Sequence, residues 1–199
     1  MLHKCLTVAL FLFSFTSVHA QEITLGSSVF LNSTSFDFEG NSNANSQLAT
    51  AQNTIEIGLT YDLSDVIWVQ HRAAFNKQVH EVAQLFEYSY IYSFAAIQNN
   101  LCFNANDHFY FGVGVPVNVS LEATQFNNFG SIDLLVEKNA PPALIGYTAL
   151  IGYKTNLTEK IRIHFDLSRN HFLNSLDNDP GQQLTVKSYV ISLKAAFSL

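Results

Sequence analysis

The chain has 199 residues, of which 48% are hydrophobic and only 13% are charged. This charged fraction is about half of what soluble domains carry, which argues against intrinsic disorder and against a highly charged soluble surface. The formal net charge of −6 argues against nucleic acid as a partner, because phosphates require concentrated Lys and Arg. The length is sufficient for one domain with a full core.

The first twenty residues have the organisation of an export signal. Lys4 gives the short N-terminal region a positive charge, and residues 6–15 are almost wholly apolar. The stretch ends at Ala20 in a small-residue cleavage pattern. The apolar run is shorter than the ~20 residues that a membrane-spanning helix needs. We therefore predict a signal peptide over residues 1–20, cleavage after Ala20, and one mature domain over residues 21–199. Cys5 is lost with the signal, and Cys102 alone cannot form an internal disulfide.

The mature chain is dominated by two-residue alternation of apolar and polar positions, the period of a strand with one apolar face. In the last segment, for example, Tyr189, Ile191 and Leu193 alternate with Ser188, Ser192 and Lys194. The pattern predicts eight strands, over residues 22–31, 55–61, 67–75, 84–103, 108–121, 143–154, 160–168 and 188–199. In the fourth strand the apolar phase changes, which predicts a bulge near Ala95 and Ala96.

The connections between these strands tend to alternate in length. Three are tight and polar, at residues 62–65, 104–107 and 156–159, whereas residues 32–53, 122–142 and 172–184 form long connections. The remaining connection, at residues 78–83, is the one short member of the second group. Outer-membrane barrels have short turns at one end and long loops at the other. The predicted fold is therefore an all-β, eight-stranded, antiparallel, up-and-down transmembrane β-barrel.

A secreted lipocalin-like barrel with its apolar faces turned inward around a ligand is the alternative architecture. The polar faces are rich in Gly, Ser, Thr and Ala, which suit the crowded interior of a narrow barrel. Aromatic residues also lie near the strand ends, as in the two interfacial girdles of membrane barrels: Tyr61, Phe103, Phe109 and Tyr153 by the tight turns, and Phe75, Phe86 and Tyr88 towards the opposite rim. These features favour the membrane arrangement.

The order of signal, strands and turns resembles the small eight-stranded outer-membrane β-barrel proteins of Gram-negative bacteria. The stretch from Phe109 to Gly114, which follows a tight polar turn, is similar to a strand of Bacteroidetes-type barrels. The resemblance implies localisation in the bacterial outer membrane, contact with its lipid and lipopolysaccharide, and a monomer. It also implies recognition of the final strand by the barrel-assembly machinery, although this chain ends at Leu199 where family members usually end on Phe.

Polar-face charges form the candidate site. They lie on four strands, and we expect them to pair with one another inside a plugged lumen, because an unpaired buried charge is costly: Glu56, Arg72, Arg162, His164, Asp166 and Lys194. Across the tight turn between the second and third strands, the numbers of paired residues should add to an even value near 128, which would place Glu56 opposite Arg72. On the last two strands, Asp166 would lie near Lys194. A gated polar conduit is the alternative function of this cluster, although eight strands leave little open bore.

An enzyme is a second alternative. Small outer-membrane lipid A deacylases carry a His-x-Ser-Asn segment near the position of His171, but this chain has Leu173 at the nucleophile position and Ser175 two residues later. We therefore expect no enzymatic activity. The sequence shows no metal-ligand spacing and no phosphate-binding glycine loop, so no cofactor or metal is predicted.

Two further residues have structural interpretations. His71 falls on an apolar face, where it would lie at headgroup depth near the outer rim or mark a local twist, and Cys102 is expected to be a buried thiol. The acidic residues of the long loops are either merely solvated or bind divalent cations or an adhesion partner. The function expected is a structural or surface-interaction role in the cell envelope.

Overall fold

The computed structural model describes the backbone of residues 21–38, 47–48, 52–83, 87–175 and 182–199. Side chains are described for residues 21–32, 52–77, 89–126, 128–175 and 186–199. The predicted signal peptide, residues 1–20, lies outside this part of the chain.

The fold is all-β, as predicted, and contains eight long strands and two short ones. The long strands are β1 (Glu22–Phe38), β3 (Gln52–Asp62), β4 (Ile67–Ala83), β5 (Glu87–Asn104), β6 (Phe109–Asn127), β8 (Ala143–Asn156), β9 (Ile161–Phe172) and β10 (Gln182–Ser198). The short strands, β2 (Gln47–Leu48) and β7 (Gly130–Asp133), pair with β1 and β6 respectively. No helix among the described residues is long and apolar enough to cross a membrane.

The long strands pair antiparallel in chain order and close into a barrel through β1 and β10. This closing seam runs from Glu22 opposite Ser198 to Phe38 opposite Gln182. Following paired residues around the barrel from Ile23 leads back to β1 at Ser33, a stagger of 33 − 23 = 10 residues. A stagger of this size tilts the strands by roughly 40°, and eight strands then enclose a space that side chains can fill.

Strand alternation sends the even-numbered residues of most strands inward and the odd-numbered ones outward. In β8 the pattern is regular, with Leu144, Thr148 and Leu150 buried and Ile145 and Ile151 exposed. The outward face carries large apolar side chains on every long strand whose side chains are described. Half or more of the surface of Ile55, Ile57, Phe111 and Leu193 is exposed. The barrel is therefore apolar outside and largely polar inside.

The tight turns and both described termini lie at one end of the barrel, here called the inner end; the long connections lie at the other, the outer end. Near the inner end Phe103 stacks on Phe111 at a centroid distance of 5.4 Å, and Phe109 meets the edge of Tyr153 at 5.2 Å. Of the aromatic residues expected towards the outer rim, Phe75 is half exposed, whereas the side chains of Phe86 and Tyr88 lie outside the described ones.

Several strands extend beyond their predicted bounds at the outer end. β4 continues through 78–83, which the sequence pattern had indicated as a connection, and β6 continues to Asn127. The predicted strands ended where polar residues interrupt the apolar alternation. The hydrogen-bonded pairing of the backbones nevertheless continues beyond that point. Strand bounds that rest on hydrophobic period alone are therefore too short at this end.

The predicted bulge is real but lies on the neighbouring strand. Ser93 pairs with Glu122, whereas Phe94 pairs with Ser120, so Leu121 of β6 is the extra residue. β5 keeps one phase throughout, and Tyr92 and Phe94 point into the barrel. The prediction at Ala95 and Ala96 was wrong because it assigned these inward aromatic residues to the outward face.

Candidate functional site: a charged ring in the barrel interior

Four side chains from four strands form a ring of alternating charge at mid-height in the lumen. Arg72 Nη1 lies 3.8 Å from Glu56 Oε1 and 3.7 Å from Asp166 Oδ2. Lys194 Nζ lies 3.5 Å from the same Glu56 oxygen and also contacts Asp166. Each member of this charged ring exposes 4% or less of its surface, and the two cations balance the two anions. The ring is neutral as a unit, which makes its burial possible.

A shell of neutral polar side chains holds the Arg72 guanidinium. Arg72 Nη2 donates to Gln98 Oε1 at 2.6 Å and to Ser168 Oγ at 3.0 Å, and Nη1 donates to Ser192 Oγ at 3.3 Å. Gln98 in turn donates to Thr148 Oγ1 at 3.1 Å. The guanidinium is thus fixed by three strands as well as by its two carboxylate partners.

The carboxylates are hydrogen bonded in the same way. The Tyr110 hydroxyl donates to Asp166, and Gln70 Nε2 donates to Asp166 Oδ2 at 3.4 Å. The Ser28 hydroxyl donates to Glu56, which also accepts from Ser192 at 3.1 Å. Since buried charges are tolerated only when paired and hydrogen bonded, this shell stabilises the ring.

An aromatic floor closes the lumen on the inner side of the ring. Trp68 meets Tyr110 and His164 edge-on, at centroid distances of 5.0 and 5.8 Å, and packs with Cys102 and Leu150. Trp68 Nε1 donates to Asn104 Oδ1 at 3.0 Å. Tyr110 lies over Gly152, its pairing partner on β8, where an added Cβ would come within 2.1 Å of the ring.

An apolar plug closes the lumen on the outer side. It combines inward residues of five strands with two residues of the connection after β7, and its members are Tyr92, Phe94, Ala123, Leu134, Ala140, Leu144, Phe172 and Val186. The connection is fastened to β6, because Ser120 Oγ donates to Pro141 O at 2.7 Å and Leu134 N donates to Ala123 O at 2.8 Å. The long loop thus contributes to the interior as well as to the surface.

The space left between floor and plug is small. The cavity found beside Glu56 and Arg72 measures about 10 Å³, which is the space of one water molecule at most. A larger, open depression of about 670 Å³ lies below the floor at the inner end, next to Asn104, Lys154 and Arg162. Across the described residues, therefore, no open path connects the two ends.

The structure brings most of the predicted charges together but separates one of them. Glu56, Arg72, Asp166 and Lys194 form the ring, and His164 lies in the floor beneath it. Arg162 instead lies at the inner rim, partly exposed, with Nη1 3.2 Å from Glu22 Oε1. Arg162 is the second residue of β9, too close to the strand end to reach the ring.

The predicted opposition of Glu56 and Arg72 was wrong by two residues of register. Glu56 pairs with Ala74, and Arg72 pairs with Gly58. The turn after β3 lies one residue further along the chain than assumed, since β3 runs to Asp62 and both Leu63 N and Ser64 N donate to Ile67 O. Long side chains nevertheless bridge the diagonal, and Glu56 and Arg72 still form an ion pair.

His71 is nearer the inner end than predicted. It pairs with Leu59 and Asn99, stacks on Tyr61 at 5.6 Å, and its Nδ1 lies 2.5 Å from Asn99 Oδ1. The expectation of a position at the outer rim was therefore wrong. Cys102 is fully buried, as expected.

Sequence reasoning missed Tyr110, Ser28 and Gln98 as members of the site. The available signal was that all three have even numbers on strands whose odd-numbered residues face outward. Tyr and Gln carry no charge, however, and did not stand out. The predicted acidic loop residue Asp133 has a local role, because its Oδ1 accepts from Leu135 N at 2.9 Å.

The described residues at the position considered for an enzyme make structural contacts. Leu173 is 72% exposed, and the side chain of Asn174 bonds to the backbone of Ile145 and Ala143. His171 packs against Tyr147 at 5.0 Å. No group of three or more metal-binding side chains is found in the part of the chain that the structure covers.

Comparison with known proteins identifies the fold. No protein-family model matches the sequence, and no curated protein matches it. Three solved structures superpose with a TM-score of 0.51: Ail, the attachment invasion locus protein of Yersinia pestis (10% identity, 89% of this chain and 99% of Ail), Neisserial surface protein A (12% identity, 89% and 97%), and the outer membrane protein AlkL in DMPC lipid bilayers (12% identity, 91% and 90%). The chain thus has the fold of the small outer-membrane β-barrels.

Proposed function

We propose that the protein is an exported, monomeric outer-membrane β-barrel with a plugged lumen and a structural or surface-interaction role in the bacterial cell envelope. The observation that carries this proposal is the orientation of the barrel wall: apolar side chains face outward on the long strands, while charges and amides face inward. Water would not stabilise such an outward face, whereas lipid would.

The inner aromatic residues support the membrane placement. Four aromatic residues lie next to the tight turns: Tyr61, Phe103, Phe109 and Tyr153. There they would form the aromatic girdle where the inner end of the barrel leaves the outer membrane. The strands are also long enough, since a tilted spanning strand needs about 9–11 residues and the shortest long strand, β3, has 11. The predicted cleavage after Ala20 belongs to the same proposal.

The filled lumen favours an envelope or contact role over transport. The charged ring, the floor and the plug block the interior at three levels, and a conduit would need all three to move. Lipid and lipopolysaccharide around the wall are the expected partners, together with any ligand of the long outer connections.

The closing strand is suited to recognition during assembly. β10 pairs along its full length with β1, and Leu199 N donates to Gln21 O at 2.9 Å. We propose that the barrel-assembly machinery reads this strand, with Phe197 in place of a terminal Phe. The finer likeness to Bacteroidetes-type barrels rests on Phe109–Gly114 and remains a prediction.

Neither alternative gains support from a specific observation. A lipocalin-like binder needs an apolar interior that can hold a ligand, but this interior is charged at mid-height and filled. A deacylase-like enzyme needs a nucleophile beside His171, where this chain has Leu173.

Cell fractionation combined with gel mobility tests the proposal. We expect the protein in the outer-membrane fraction, extractable only with detergent, and migrating differently before and after boiling because the closed barrel resists dodecyl sulfate. Solubility without detergent, or identical mobility before and after boiling, would contradict the membrane-barrel proposal.

A further inference from the structure

The outward apolar belt is not of equal height around the barrel. On β6 six outward positions are apolar, and Val119 between the last two is buried: Phe109, Phe111, Val113, Val115, Val117 and Leu121. On β9 only four are apolar, from Ile161 to Leu167, before Arg169 and His171 follow. On β10 the outward run from Phe197 ends at Tyr189 and Lys187.

The polar residues of β8, β9 and β10 lie side by side and form one basic patch, defined by Tyr147, Arg169, His171, Lys187 and Tyr189. Lys187 pairs with His171, which pairs with Tyr147, and Tyr189 pairs with Arg169. Diagonal neighbours on adjacent strands lie about 7–8 Å apart, so Arg169 and Lys187 can reach one ligand group between them.

Aromatic side chains contact Arg169 and His171 of the basic patch. Arg169 Cζ lies 5.5 Å from the centroid of the Tyr189 ring, and the His171 ring lies 5.0 Å from Tyr147. Tyr147 and Tyr189 themselves remain 56% and 41% exposed. These ring contacts orient the Arg169 and His171 side chains without neutralising them.

The two cations of the basic patch, Arg169 and Lys187, have no carboxylate partner among the described residues, which distinguishes them from three other strand cations. Arg72, Lys194 and Arg162 each contact a carboxylate within 4.0 Å. Neither Arg169 nor Lys187 forms an ion pair with any described carboxylate. In a chain with a net charge of −6, two adjacent outward cations without a carboxylate partner in the described part of the chain indicate an anionic partner from outside the chain.

The depth of the patch identifies the kind of partner. Counted from Ile161, Arg169 and His171 are the ninth and eleventh residues of β9, and a tilted spanning strand uses about 9–11 residues. The patch therefore lies at the outer edge of the apolar belt, where lipid headgroups begin. A second copy of the chain related by a twofold axis would place one basic patch against another, which like charges disfavour.

We infer that the basic patch binds the phosphate headgroup of a lipid in the outer leaflet. Arg169 and Lys187 donate to the phosphate oxygens, while Tyr147 and Tyr189 contact the adjoining sugar or acyl carbons. This inference rests on the proposed membrane placement, and it adds a specific site to a general lipid contact.

Native mass spectrometry of the detergent-solubilised full-length protein tests the site, with lipid A as the probe. We expect wild-type protein to retain lipid A and to bind its enzymatically dephosphorylated form at least about tenfold more weakly, because charge-assisted contacts to phosphate are lost. The double variant Arg169→Gln/Lys187→Gln should show the same loss with intact lipid A. The variant Lys77→Gln, which removes an exposed outward cation on β4, is the matched control and should bind as wild type.

Two further arms separate the possible outcomes. Inorganic phosphate at millimolar concentration should not displace the lipid, and displacement would show a free-anion site instead. A dimer that the double variant abolishes would overturn the inference in favour of a second copy. Equal binding of both lipid forms by wild-type protein, which needs no variant to fold, would also overturn it. Wild-type gel mobility is measured first, since its failure to shift on boiling contradicts the membrane proposal itself.

Discussion

The middle and the outer third of the lumen are filled in opposite ways, and only β9 and β10 contribute to both. The charged ring combines Glu56, Arg72, Asp166 and Lys194 with hydroxyl and amide partners, whereas the apolar plug combines aromatic and aliphatic side chains with Leu134 and Ala140 of the connection after β7. The ring depends on charge balance, and removal of one member leaves a buried unpaired charge. The plug depends on volume, and removal of one member leaves a cavity. Charge balance and close packing thus stabilise adjacent levels of the same barrel.

The largest effect is expected in the ring. Asp166→Leu leaves Arg72 and Lys194 with one carboxylate between them and should lower the free energy of unfolding by about 4 kcal/mol. Urea unfolding in detergent micelles, followed by the boiled-versus-unboiled gel shift, measures the change. Asp166→Leu combined with Lys194→Met restores neutrality and should recover most of the loss. An additive double variant would show that the ring is not held by charge balance.

A smaller effect is expected in the plug. Leu144→Ala removes a fully buried side chain on the outer side of the lumen and should cost about 3 kcal/mol, through lost burial and a residual cavity. The exposed Ile145→Ala on the same strand is the matched control for the inward face. If both variants unfolded at the same urea concentration, the plug would contribute no packing.

In the floor, we expect the loss of one hydrogen bond to lower the free energy of unfolding by a smaller amount. Trp68→Phe removes the bond from Nε1 to Asn104 and should destabilise the barrel by about 1 kcal/mol. Trp68 is the sole tryptophan of the chain and is 2% exposed, so its fluorescence in the wild type should resist quenching by acrylamide. Ready quenching would show that the inner end is open to water.

The smallest effect is expected at the inner rim. Arg162→Ala breaks the partly exposed pair with Glu22 and should change the free energy of unfolding by less than about 1 kcal/mol. The same urea titration measures it beside Asp166→Leu. An equal loss in the two variants would contradict the distinction between the buried ring and the solvated rim.

The sequence predicted the eight long strands, their order and the facing of most of their side chains, because alternation reports burial directly. It therefore placed Glu56, Arg72, Asp166 and Lys194 inside. It missed the register by two residues, since the turn after Asp62 sets that register through backbone bonds that no side-chain pattern reveals. The plug was also beyond reach, because Leu134 and Ala140 lie in a connection without periodicity, and the inward Tyr92 and Phe94 resembled outward residues.

Electrical recording from purified protein in a planar lipid bilayer tests directly whether the lumen is plugged, because floor, ring and plug fill it at three levels and the cavity beside Glu56 and Arg72 measures about 10 Å³. We expect insertion of the barrel without a steady open level across the voltages that the bilayer tolerates. A steady, reproducible open level in heat-modifiable wild-type protein would contradict a plugged lumen.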